Sequence, residues 1–82
     1  MEQSPTQFLT QEESNQIEAA LLSSSEKFLT RLTISSHRLL KIMAEDIGVS
    51  VDELTPTQIV EWMEKDSKIK KEQGIDASVL KW

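Results

Sequence analysis

The 82-residue sequence predicts a small, mostly α-helical domain. Three observations predict it. Apolar residues recur at helical spacing through Leu39, Leu40, Met43, Ala44 and Ile47, and again through Ile59, Trp62, Met63 and Ile69. Two start signals, Thr10-Gln11-Glu12-Glu13 and Thr55-Pro56-Thr57-Gln58, place a hydroxyl three residues before a Glu or Gln, so that each side chain can satisfy the other's free amide. The two glycines, Gly48 and Gly74, each follow a periodic run, where the left-handed residue that ends a helix belongs.

In chain order, residues 1–9 are polar, contain Pro5 and lack periodicity, and are expected to be disordered. The first start signal opens an N-terminal helix at about 11–23, with Ile17, Ala20 and Leu21 on one stripe. Ser23-Ser24-Ser25 then favours a break. Lys27–Ser35 has two readings. With period 3.6, Phe28 and Leu32 continue the Ile17/Leu21 stripe, and one helix runs from Gln11 to about Thr33. With period 2, Phe28, Thr30, Leu32 and Ile34 share one face of a strand at about 28–34, and Thr33 or Ser35 caps the next helix. A helix-turn-helix pair follows, at about 36–47 and 56–73, with Val49, Val51 and Leu54 closing the corner. Pro56 falls at the first helical position, where its missing N–H is no loss. Glu61–Lys65, Glu64–Lys68 and Asp66–Lys70 are spaced as i, i+4 pairs.

Residues 10–74 are thus read as one helical domain, and 75–82 as an apolar C-terminal tail carrying Ile75, Val79, Leu80 and Trp82. The tail either folds back on the helix pair or docks into a partner. Trp62, in mid-stripe, is expected to be buried, and Trp82, at the end, to be less protected.

Charge and composition bound the function. The net charge is −5. Residues 1–25 hold four acids and no base (−4), residues 26–41 four bases and one acid (+3), and residues 42–82 nine acids and five lysines (−4). The positive segment is either a solvated face or a patch for an anionic partner. There is no cysteine, hence no thiolate metal site or cysteine nucleophile, and the cytoplasm is the expected compartment. The N-terminus lacks a basic region and a long apolar run, so neither a secretory signal nor a membrane span is expected. His37 is the single histidine; its neighbours Ser35 and Ser36 do not make a catalytic triad, because adjacency in sequence does not orient a base on a nucleophile. No phosphate loop or calcium loop is present. A non-enzymatic protein without cofactor, metal or small-molecule substrate is expected. A core this small gains from a homodimer or another bound partner.

Taken with the period-2 reading, Arg31-Leu32-Thr33-Ile34, then Leu39-Leu40 and Met43-Ala44, then Gly48-Val49-Ser50-Val51-Asp52-Glu53-Leu54, then Ile59, Trp62 and Met63 resemble the ribbon-helix-helix family of dimeric DNA-binding repressors and antitoxins, over residues 27–65. The resemblance implies a homodimer whose paired strands enter the DNA major groove, with Lys27, Arg31, Thr33 and Ser35 facing bases or their flanks. In the antitoxin branch it implies a tail, here Ile75, Val79, Leu80 and Trp82, that binds a protein. Pro56 departs from the pattern, since it would fall inside a second helix begun at Asp52. The other class is an all-α protein-interaction module without DNA binding, using the Trp82 tail or the Leu22/Leu29 side of the first helix. The two classes divide on whether Lys27–Ile34 is extended or helical.

Overall fold

Each helix begins on a reciprocal cap. The Thr10 hydroxyl accepts from the Glu13 amide and the Glu13 carboxylate accepts from the Thr10 amide, at 3.1 and 3.0 Å. Ser23 and Glu26 repeat the arrangement at 3.1 and 2.9 Å, and Thr55 and Gln58 at 3.2 and 3.0 Å. The helices that follow are α1 (Gln11–Ala19), α2 (Ser24–Ile47) and α3 (Pro56–Gln73), with 3₁₀ turns at Val51–Glu53 and Ile75–Ala77. The computed structural model describes residues 7–81. Gly48 ends α2 with φ +90° and Gly74 ends α3 with φ +95°, both in the positive-φ region that glycine enters without a Cβ clash.

The strand expected at about 28–34 is not formed: these residues lie inside α2. The cap at Ser23 starts the helix before the ambiguous stretch is reached. Within it, the Thr30 and Thr33 hydroxyls donate to the carbonyls of Glu26 and Leu29, at 2.8 and 2.7 Å, so residues that favour strands find helical partners. An isolated strand would leave its backbone edges unpaired, whereas a helix closes them within the segment. With no ribbon, the strand-paired homodimer has no basis. The long-helix reading is also corrected, because α1 stops at Ala19 and the chain turns through Ala20–Ser23. The helix expected at about 36–47 begins twelve residues earlier, at Ser24, and neither Thr33 nor Ser35 caps anything. The helix expected at 56–73 has those bounds.

The core is thin. Ile17, Met43, Ala44, Trp62 and Leu80 are its buried apolar residues. α1 lies antiparallel to α2, bringing Glu13 beside Arg38 and Glu18 beside Arg31. The expected direct packing of the α2 and α3 stripes is only partly realised. The two helices meet at the corner, where the Trp62 indole Nε1 donates to Asp46 at 3.0 Å, and then diverge. The wedge between them is filled by Phe8 from the N-terminal segment and Leu80 from the C-terminal one, around an apolar hollow of about 160 Å³ also lined by Leu32, Ser35, Ser36, Leu39 and Met63. Val49, Val51 and Leu54 are half-buried at the corner. The expectation of disorder over 1–9 falls mostly on residues outside those described; Gln7 and Phe8 are held by the hydrogen bonds given below.

Candidate protein-docking surface

The tail is placed by one buried acid. Asp66 sits on the inner face of α3, one turn after Trp62, and is 5% exposed. Its carboxylate accepts from the amides of Val79 at 2.8 Å and Leu80 at 3.0 Å, which sets Leu80 into the wedge. The Gln7 side chain clasps the same segment from the other side, donating to Val79 O at 2.7 Å and accepting from Lys81 N at 2.9 Å. Lys81 Nζ closes the turn on the carbonyls of Ile75, Asp76 and Ser78, at 3.2, 2.8 and 2.6 Å. Of the expected partner-binding tail residues, Leu80 is therefore buried, Ile75 and Val79 are exposed, and Trp82 lies outside the described residues.

Of the four residues expected to face DNA, Lys27, Arg31 and Ser35 lie along one face of α2 and Thr33 lies on another. Lys27 Nζ donates to Glu18 O at 2.7 Å, and the Arg31 guanidinium is ion-paired with the Glu18 carboxylate. The Thr33 hydroxyl is turned to the Leu29 carbonyl, and Ser35 is buried. Arg38 is also engaged. Its guanidinium forks onto both Glu13 oxygens at 2.6 and 2.5 Å and donates to Phe8 O at 2.7 Å. The Arg38 hydrogen bonds, with help from the Thr10 amide, hold the Glu13 carboxyl down at about 2. The positive segment is thus largely matched by the acids of α1 within the molecule.

What remains open is apolar. α2 is about 36 Å long, against about 27 Å for α3. Its inner stripe passes from Leu39 through Ser36, Ser35 and Leu32, which line the hollow, and continues at helical spacing to Phe28 and Leu29 at the uncovered end. Phe28 is 50% and Leu29 56% exposed. Just before them, in the α1–α2 elbow, Leu22 is exposed and Leu21 wholly so. Among the described residues, large exposed apolar side chains (Leu21, Leu22, Phe28, Leu29, Ile47, Val60, Met63, Ile75, Val79) outnumber the buried apolar core. Contiguous exposure of this kind marks interaction surfaces. The Leu22/Leu29 side was legible in the sequence. Leu21 and Phe28 were assigned inward, because the stripe was read as one helix passing straight through the elbow.

A helical body with a small core and exposed apolar side chains at one end defines the class of small all-α proteins. Within that class the family can be stated: the model for the NDH complex assembly factor CRR9 matches residues 9–81, nearly the whole chain, and the chain belongs to that family. No curated protein and no solved structure matches it. The match replaces the ribbon-helix-helix resemblance, and with it the repressor, antitoxin and DNA-binding readings of Lys27, Arg31, Thr33 and Ser35. That resemblance rested on short motifs, of which the central one, Arg31-Leu32-Thr33-Ile34, is two turns from the start of a long helix.

Proposed function

We propose that this chain is a non-catalytic assembly factor of the NDH complex, holding a protein component of that complex on the elbow surface of Leu21, Leu22, Phe28 and Leu29. The observation that carries the reading is the exposure of four large apolar residues within nine positions, across the α1–α2 elbow and the first turns of α2. Family membership supplies the complex. Burying one fully exposed side chain of this kind contributes about 1.5–3 kcal/mol; Leu21 is wholly exposed and the other three about half, so the patch supplies part of the roughly 8 kcal/mol of a micromolar complex and its surroundings must supply the rest.

The test is co-purification from cells that make the complex. Tagged wild-type chain is expected to bring down a subunit of the complex, and the double variant Leu21→Ser/Leu29→Ser to lose it. Both residues are exposed, so the variant's melting free energy should stay within about 0.5 kcal/mol of wild type. A double variant that retains the subunit and restores normal levels of the complex would show that the elbow is not the contact.

A further inference from the structure

The segment that follows α3 is built as a separable unit. The Ser78 hydroxyl is placed between the carbonyls of Ile75 and Leu80, at 2.7 and 3.0 Å, and Lys81 Nζ closes on those of Ile75, Asp76 and Ser78. These bonds lie within residues 75–81 and stay with the segment when it moves. Among the described residues, the hydrogen bonds that tie its end to the body are the two amides on Asp66 and the two bonds of the Gln7 side chain. Leu80 is its one buried large apolar side chain, since Ile75 is 44% and Val79 38% exposed. At its root stands Gly74, with φ +95° and ψ 161°, a backbone region that glycine alone enters freely, and the space around it is open.

The seat under Leu80 is incompletely filled. The hollow of about 160 Å³ persists beside it, Leu32 and Leu39 on its wall are half-buried, and Met63 is 36% exposed. Protein interiors pack closely and leave few voids larger than a water molecule. The wall also continues outward. Leu32 follows Phe28 by four residues and Leu29 by three, so it carries the inner stripe of α2 from the elbow into the hollow. A helix laid along Phe28 and Leu29 meets the hollow at Leu32, with Leu80 already in it.

We propose that residues 75–81 are a displaceable strap on the docking surface. Closed, Leu80 occupies the wedge between α2 and α3. Open, the strap turns out about Gly74, and the wedge receives an apolar side chain of the protein segment held at the elbow. The inference rests on the elbow reading above and adds its regulation: the chain's own Leu80 competes with the partner for one seat.

The chain has no cysteine, so an introduced pair stands alone. Gln7→Cys/Val79→Cys puts thiols on two residues that already touch, and a short bis-maleimide then ties the strap shut. The same variant capped with a mono-maleimide is the free control. Each full-length chain is immobilised and offered extract from cells that make the complex, and the probe is the subunit of the complex that wild type recovers. The capped chain is expected to recover it as wild type does, and the bridged chain about tenfold less. Amide exchange of free wild type reads the opening without a partner: Val79 and Leu80 should exchange about tenfold faster than mid-helix amides of α2. The strap is overturned if those two amides exchange together with α2. It is equally overturned if bridged and capped chains recover the subunit to the same extent while Leu21→Ser/Leu29→Ser loses it. If Leu21→Ser/Leu29→Ser keeps the subunit, or wild type recovers none, the elbow reading falls and takes this inference with it.

Discussion

At the scale of single residues, three side chains hold more than their sequence neighbours suggest. Trp62 is 7% exposed and anchors its ring nitrogen on Asp46, joining α2 to α3 where the two helices meet. Trp62→Ala should cost about 3–5 kcal/mol, a large part of the stability of so small a chain, read as a fall in melting temperature or denaturant midpoint. Asp66→Ala should release two backbone amides at a cost of about 1–3 kcal/mol. Amide exchange at Val79 and Leu80 should accelerate well before α2 exchanges; unchanged protection there would mean that packing of Leu80 alone seats the tail. Glu13 supplies the pH dependence. A carboxyl whose folded pKa is depressed contributes stability that is present above its ordinary unfolded value and lost as pH falls through the folded value, here about 2. The stability gap between wild type and Glu13→Gln should therefore be full above about pH 5, narrow steadily below pH 4 and close near pH 2 in parallel thermal melts. The change should be small, since the pair lies at the surface, and salt should reduce it.

At the scale of elements, α2 decides the fold. It takes in the whole stretch for which a strand was the alternative, and it is the scaffold to which α1, the N-terminal segment and the wedge are fixed. Thr33 is exposed and lies mid-helix, so it tests that assignment without touching the core. Thr33→Pro should cost about 3 kcal/mol or more by removing a backbone bond and clashing with the preceding turn, whereas Thr33→Gly should cost about 1 kcal/mol or less. In a strand edge the proline would be mild, so the ratio of the two effects discriminates between the conformations. Backbone chemical shifts over 27–34 should read helical.

At the scale of the whole molecule, the balance of surface and core points outward. Among the described residues, no helix is long and apolar enough to cross a membrane. The exposed apolar residues lie mainly at the elbow and around α3. Partner binding should therefore raise the melting temperature of the chain in a concentration-dependent way, by mass action on the folded state. The elbow double variant should lose that stabilisation while keeping its own melting temperature, and a thermal-shift titration with the co-purified subunit reads both.

The sequence by itself determined the helical class, the caps at Thr10 and Thr55, the stops at Gly48 and Gly74, the extent of α3 and the burial of Trp62. These follow from short-range physics: a hydroxyl reaches an amide three residues on, a glycine reverses the chain, and a 3.6-residue period collects one face. Leu22 and Leu29 stood out in the sequence as an apolar side beside the stripe, although in α2 Leu29 continues the inner stripe at its exposed end. The conformation of Lys27–Ile34 stayed open because Phe28 and Leu32 satisfy both periods over so short a run; Ser23 three residues before Glu26 was the local signal that would have decided it, and α1 adds the pairs Glu18–Arg31 and Glu13–Arg38. Nor were the roles of Asp66 and Gln7, whose partners lie 13 and more than 70 residues away. An acid on the apolar stripe at Trp62, Asp66 and Ile69 was the visible trace of the first. Only the tertiary structure could decide which segment filled the wedge, since that depends on Leu80 and Phe8 meeting from opposite ends of the chain. The length by which α2 outruns its cover, which leaves the elbow open to a partner, was decided at the same level.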